Sequence, residues 1–432
     1  MRRFIPVGTA LALAAAVLVA PTTASSATAP SAAATSYAAK PKAGKAKKPT
    51  PYAFRAHGYG TRIKGGDLPS VSGATALASL GCTNRTGIRK HNEVADVQLP
   101  GLGRISGVRT DISTVKTKTG VSSVSEHSVA QIVLAESSFG RLSIQGITSM
   151  ATASAGRSGY STDAETTLAR LVFTPTGGEP RELRLPTLNR PIEVPGLLRV
   201  SIGDIRERKG ADFAHARANG LKIALLPTQT RVVVGRTVAY MTRGIRTGLF
   251  NGSSAATRAE LLAGNVRLGR TQSLTMPCQG TDGKVQTNAA AKVSIPGLLD
   301  LGAVSSRQMG KQGKRRALGF EEASVASLNL GDGALKVDAI MGRVRVVKAK
   351  GKKARVSYAG STIGGITVDG ERYSLPELDG IEIPGIAKVE TLVKEKVKNG
   401  GRITALRLTL LDGTGAVVDL GQAYLKIRPS GR

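Results

Sequence analysis

The feature that most restricts this chain is a repetition of its own motifs at a nearly constant distance. Cys82 leads into VQLPGLG at Val97–Gly103, and Cys278 leads into VSIPGLL at Val293–Leu299, an offset of 196 residues in both cases. The same offset joins SVAQIVL at Ser128–Leu134 to SVASLNL at Ser324–Leu330. It falls to 193 between LSIQGI at Leu142–Ile147 and LKVDAI at Leu335–Ile340, and to 189 between IEVPGLLRV at Ile192–Val200 and IEIPGIAKV at Ile381–Val389. NGLKIALL at Asn219–Leu226 then resembles ITALRLTLL at Ile403–Leu411, and Ala239-Tyr240 resembles Ala423-Tyr424. Order is kept while the offset shrinks stepwise, the pattern of two copies of one module separated by loop deletions. The expected modules are 52–248 and 252–430, after a 1–27 signal peptide and a 28–51 linker.

Within each copy the apolar residues alternate. Leu142, Ile144 and Gly146 stand against Arg141, Ser143 and Gln145, and Leu406, Leu408 and Leu410 against Arg407 and Thr409. A period of two predicts half-buried strands. Pro-Gly pairs at 100–101, 195–196, 296–297 and 384–385 punctuate them as turns. VETLVKEKVKNG at Val389–Gly400 has helical propensity, but its counterpart contains Gly203 and β-branched residues, so a strand is expected there. A short helix is expected around Thr257–Leu262. With no βαβ rhythm and only 15 Tyr and Phe and no Trp among 432 residues, the fold class is all-β: two tandem antiparallel sandwich-like or barrel-like domains.

The order Cys, Val-x-(Leu/Ile)-Pro-Gly-Leu, SVA-x-(Leu/Ile)-x-Leu, a second (Ile/Val)-Pro-Gly element and closing hydrophobic strands resembles the choice-of-anchor P family of secreted actinobacterial surface proteins, over roughly 52–430. The resemblance implies an exported, β-rich, surface-associated module with a variable C-terminal anchor and no catalytic role. This chain departs from it in showing no sorting motif with a hydrophobic tail at AYLKIRPSGR and in being strongly basic. The resemblance implies, for some relatives, pairing of the first Cys with another after the central strands; the corresponding positions here, around Ala151 and Val344, are not Cys.

The N-terminus is written as an export signal. Arg2 and Arg3 precede the apolar run Ala10–Ala20, then small residues and Pro21. That run is about half of the roughly 20 residues a membrane-spanning helix needs. The following segment holds Lys40, Lys42, Lys45, Lys47 and Lys48 with nothing apolar to bury, and reads as a disordered basic spacer. No later run reaches the length of a span, so the mature chain is expected to be extracellular without a transmembrane segment, soluble or held at the cell wall.

Motifs for chemistry are sparse. Two cysteines exclude a disulfide-dense scaffold and a cysteine-rich zinc site. Because Cys82 and Cys278 occupy equivalent places, neither has a partner in its own copy; an inter-module disulfide and two buried free thiols both satisfy that position. His57, His91, His127 and His215 lack metal-ligand spacing, and no metal or cofactor is expected. No G-x-S-x-G elbow, Walker loop, HExxH or EF-hand loop occurs. Glu193 and Glu382 sit before matching Pro-Gly pairs but lack a second carboxylate at defined separation, so an exposed turn role is expected and no catalytic residue is assigned. Asn84-Arg85-Thr86 and Asn251-Gly252-Ser253 match a glycosylation acceptor pattern.

Charge carries the functional reading. The net charge is +31, and +24 of it belongs to residues 49–432. Lys314, Arg315, Arg316, Arg343, Arg345, Lys348, Lys350, Lys352, Lys353 and Arg355 concentrate it in the second copy. RVRVVKAKGKKARV reads as a hairpin turning near Gly351, valines inward and cations outward, a face that attracts polyanions in a salt-dependent way. Scarce stacking aromatics and export disfavour specific nucleic-acid recognition. The expected function is a secreted, non-enzymatic, envelope-associated protein binding anionic wall polymer or another polyanion. Its alternatives are a carbohydrate-active or hydrolytic enzyme with a site between the modules, and an adhesin-like structural protein. A purely solubilising use of the charge is a further alternative.

Overall fold

A computed structural model describes residues 49–64, 75–99, 103–137, 140–187, 190–194, 198–226, 230–261, 266–295, 299–373, 380, 382–411 and 416–431. The expected signal peptide, nearly all of the expected linker and the Pro-Gly pairs at 100–101, 195–196 and 296–297 lie outside them. The described residues form antiparallel strands and a single 3-10 turn, Gly331–Gly333, all within one compact unit that begins at Ala43. No helix among them is long and apolar enough to cross a membrane.

Each half of the sequence builds two sheets. In the first half, a closing sheet runs in the order Ala78–Arg85, Pro49–Lys64, Thr230–Thr242, Phe213–Leu225, Leu198–Ile202, Ile192–Val194. The closing sheet of the second half runs Val266–Thr271, Gly248–Leu261, Val417–Pro429, Gly400–Leu410, Ala387–Val397, Glu382–Ile383. In both, the first strand of the half pairs with its last. The middle of each half forms a central sheet around Gly103–Lys116, Gly120–Ser137 and Gly140–Gly156, or around Val304–Gln312, Arg316–Leu330 and Leu335–Ala349. Closing and central sheets share a core: Ile105, Ile132 and Ile144 meet Val200, Leu221 and Val234 in the first half, and Val325, Val337 and Ile340 meet Val389, Leu408 and Leu420 in the second. Burying such apolar faces against each other is what stabilises a two-layer β domain.

The strands carry a kink at corresponding places. Pairing lapses at Gly235 opposite Gly60 and Gly220, and at Gly421 opposite Ala256 and Ala405. Gly235 has φ +65° and Gly421 φ +63°, the left-handed region that glycine enters without steric cost. A second lapse falls at Gly146 (φ +62°) and at Ala339 (φ +51°). Crossing it changes the buried series from Leu142 and Ile144 to Ile147 and Ser149, so Gly146 ends the alternation expected to run through it. Phe54 pairs with Met241 and Phe250 with Ile427, which sets Tyr240 against Lys426 and not, as the sequence resemblance has it, against Tyr424.

Three sequence expectations change. The segment expected to turn helical near Thr257 belongs to the strand Gly248–Leu261, paired on one side with Val417–Pro429 and on the other with Val266–Thr271; two ladders outweigh the helical propensity of its Ala and Glu residues. The first strand begins at Pro49, inside the segment expected to be linker. Asn84 is buried, its Nδ2 donating to the Ser430 carbonyl at 2.5 Å, and Asn251 Nδ2 donates to the Cys82 carbonyl at 3.1 Å, so both glycosylation-pattern amides are engaged within the fold.

Those two bonds belong to a hub between the halves. Cys82 and Cys278 are joined by a disulfide with a Cα–Cα distance of 5.4 Å, packed against Ala53, Leu249 and Ile245. Ala53 and Leu249 occupy the same place in their first strands, as the two cysteines do beside them. Equivalent residues that touch each other mark an isologous, two-fold-like contact. The connection 244–248 is pinned by Gln312, whose Oε1 accepts from the backbone N–H groups of Arg246, Thr247 and Gly248 at 2.9–3.2 Å.

Candidate functional site: cationic surfaces

The basic hairpin expected near Gly351 forms, with Val347 opposite Arg355 and Gly351 at φ +72°. Beside it lies the turn that carries Lys314 and Arg315, because Arg316 pairs with Ala349 and Lys350 N–H donates to the Arg315 carbonyl at 3.0 Å. The sheet therefore brings Lys314, Arg315 and Arg316 alongside Lys350, Lys352, Lys353 and Arg355, all exposed, with Arg345 exposed further down the strand. Two residues of the expected set are withdrawn. Lys348 is buried and its Nζ donates to the carbonyls of Ala349 and Lys352, closing the turn. Arg343 lies over the Phe320 ring at 4.8 Å and pairs with the buried Glu322, which Arg307 also contacts. Lys348 shares the strand face of the buried Val344 and Val346, a parity already present in the sequence, whereas the contacts of Arg343 depend on neighbours across the sheet.

A second cationic surface was not legible in the sequence. On the face of the first closing sheet turned away from its core, antiparallel pairing lines up Arg55–Tyr240–His215, then His57–Val238–Arg217, then Tyr59–Arg236–Asn219. Directly opposed residues share a face, so these rows form one patch. Arg236 lies over the Tyr59 ring at 6.0 Å. Arg217 is bonded to Asp204 at 3.2 Å, but Arg217 Nε and Arg236 Nε are buried with no acceptor among the described residues. Burial first, then the charges of Arg55, Arg236 and His215, hold the His57 imidazole down to about 3. Burial likewise lowers Arg55 and Arg217. Positive groups are packed here more densely than their anionic partners.

At the corresponding rows of the second closing sheet stand Asn251–Lys426–Gly400, Ser253–Tyr424–Arg402 and Ala255–Gln422–Thr404. Here a cavity of about 260 Å³ opens, lined by Arg258, Arg270, Arg402, Ser253, Gln422 and Tyr424 among others, with no carboxylate among the described residues of its lining. Arg402 lies over the Tyr424 ring at 5.4 Å and reaches Glu395 at 2.8 Å, and Arg270 Nη1 donates to Ser253 Oγ at 3.3 Å. Desolvation, then Arg258 and Arg402, push Arg270 below the ordinary arginine value. Asp419 beside the cavity is engaged by Arg407 and by Gln422.

Among the remaining candidates, Glu193 is ion-paired with Arg199 and Glu382 is exposed. His127 is fully buried, its Nδ1 2.8 Å from Thr110 Oγ1, while His91 is exposed. No group of three or more His, Cys, Asp or Glu among the described residues is arranged to hold a metal ion.

No protein-family model and no curated protein matches the chain. Among solved structures, the crystal structure of the Ralstonia pickettii toluene transporter TbuX aligns over 87% of this chain and 88% of that one at 8% identity, with a TM-score of 0.12, a level that carries no argument about fold or function.

Proposed function

We propose that this chain is a secreted, non-enzymatic, envelope-associated protein of the choice-of-anchor P type, built from two copies of one β module, that binds anionic wall polymer through the basic hairpin end of its second half. The observation that carries the reading is the juxtaposition of two turns, Lys314–Arg316 and Lys350–Arg355, whose cations point to solvent with the strands behind them fixed. Clustered exposed cations on a rigid support attract a polyanion and release it as salt rises. The hub disulfide supports export, because such bonds persist in oxidising compartments.

The test is retention of the purified protein on cell walls across a salt titration, beside a variant carrying Lys350→Gln, Lys352→Gln, Lys353→Gln and Arg355→Gln. Retention at low ionic strength, release at high, and loss in the variant are the expected results. Binding that ignores salt points to the adhesin-like alternative, and turnover of wall carbohydrate points to the enzyme. No retention at any salt leaves the charge a solubilising role and overturns the reading.

A further inference from the structure

We propose that the cavity over Arg258, Arg270 and Arg402 and the corresponding patch over Arg55, Arg217 and Arg236 are a pair of oxyanion sites, each taking one phosphoryl or sulfuryl group. The proposal is independent of the basic hairpin end, which lies on a central sheet, whereas both sites lie on closing sheets.

Three observations carry it. The first is convergence. Arginines from three separate strands meet at the second-half cavity, and Arg402 takes the place in its rows that Arg217 takes in the first half. The second is unspent donor capacity. Arg217 Nε and Arg236 Nε are buried without an acceptor among the described residues, and a buried donor of a charged group left without a partner is unfavourable. An oxyanion on that patch supplies the acceptor and the missing negative charge together.

The third is shape and valence. A planar carboxylate offers two oxygens and one charge, whereas a tetrahedral oxyanion offers more oxygens, spread in three dimensions, and more charge to several guanidinium forks at once. The cavity of about 260 Å³ equals roughly nine water volumes and lies just below the usual range of small-molecule pockets. It takes one phosphorylated or sulfated unit the size of a small polyol or a sugar, not a drug-sized ligand. Tyr424 and Tyr59 hold Arg402 and Arg236 from one ring face each, so that less side-chain freedom is lost when the anion arrives.

The experiment uses the full chain at constant ionic strength, titrated by calorimetry with inorganic phosphate, sulfate and acetate, while arginine Nε–H resonances are followed by NMR. Phosphate and sulfate are expected to shift the Arg217 and Arg236 signals and to bind at two sites, and acetate to do neither. Arg402→Gln is expected to weaken the second-half site about 10- to 100-fold, the loss of one charged hydrogen-bonding group, and Arg217→Gln to do the same in the first half. Lys352→Gln with Lys353→Gln is expected to change neither, which separates this outcome from failure of wall binding. Should Arg402→Gln lower the melting temperature sharply, Arg402→Lys keeps the charge without the fork and is expected to lose part of the affinity. A short glycerol-phosphate polymer binding more tightly than inorganic phosphate identifies a polymer as the source; equal binding identifies a free ion or a small phosphorylated molecule. Equal weak binding of all three anions, or binding that follows the hairpin lysines, overturns the proposal.

Discussion

Between the layers of the two halves, corresponding positions are filled by opposite chemistry. Ser125 and His127 in the first half stand where Glu321 and Ala323 stand in the second. Ser125 Oγ donates to the His57 carbonyl at 3.1 Å, and His127 sits against Thr110. Glu321 is wholly buried, accepts from Ser254 Oγ at 2.9 Å, and its other oxygen has no partner among the described residues. Burial raises the Glu321 carboxyl well above its ordinary value and lowers the His127 imidazole to about 4. The His127 imidazole is therefore neutral in the fold at neutral pH, and burial favours the uncharged form of the Glu321 carboxyl. The first half buries a base here and the second half an acid, and desolvation works against the charged form of each.

The largest test of this comparison removes the bond that ties the halves together. Cys82→Ala with Cys278→Ala opens a closed loop spanning 196 residues and is expected to cost about 5 kcal/mol in denaturant unfolding on the chain-entropy argument. A loss under about 1 kcal/mol would show that packing and the Asn84 and Asn251 bonds suffice.

Next in size is a pH response of opposite sign in the two halves. The unfolded chain protonates His127 near 6.5 and the fold only near 4, so its stabilising contribution is complete above about 6.5 and is lost as pH falls toward 4, up to about 3 kcal/mol. His57 acts in the same direction. Glu321 acts in reverse: its folded value is raised, so its contribution is complete below about 4.5 and is lost as pH rises. Hydrogen exchange from pH 4 to 8 is expected to show first-half strands opening more readily in acid and second-half strands more readily toward neutral pH. Glu321→Gln is expected to remove the second trend. The same pH trend in both halves would contradict the comparison.

Gly342 and Ser149 occupy one place in the two halves and answer differently. A Cβ at Gly342 would lie 1.9 Å from the Gly421 carbonyl oxygen, so Gly342→Ala is expected to cost about 3 kcal/mol. Ser149→Ala deletes only the 2.5 Å bond to the Gly235 carbonyl and is expected to cost about 1 kcal/mol in the same thermal or denaturant melt. Equal losses would mean that the two halves do not close on the kink in these different ways.

Much of the architecture was legible because strands advertise themselves locally. Alternation set out Gly140–Gly156 and Gly400–Leu410, the Gly-centred basic run set out the hairpin at Gly351, and comparison with its counterpart turned Val389–Gly400 from helix to strand. Glycine inside an alternating run was a readable sign of the kink, since only a residue without Cβ enters that backbone region cheaply; Ala339 shows that the sign is not obligatory. The arginine sites were not legible. Arg217 and His57, like Arg402 and Ser253, lie some 150–160 positions apart, and they share one row because the first strand of each half pairs with the last, which pairs in turn with the strand before it. Arg343 stands on the outward positions of its strand, but the Phe320 ring and Glu322 claim it; Lys348 stands on the inward series of Val344 and Val346, where turn carbonyls take its ammonium.

By itself the sequence determined an all-β chain, the strand periods and the repeated order of motifs, because burying one face of a strand writes its period into the residues. Tertiary structure alone decided that the two cysteines meet, that Arg343 is drawn onto Phe320 and Glu322, and that scattered arginines gather into two patches on the closing sheets. These are contacts between residues far apart in the chain, and their distances depend on how the sheets close, a quantity that no local pattern of side chains encodes.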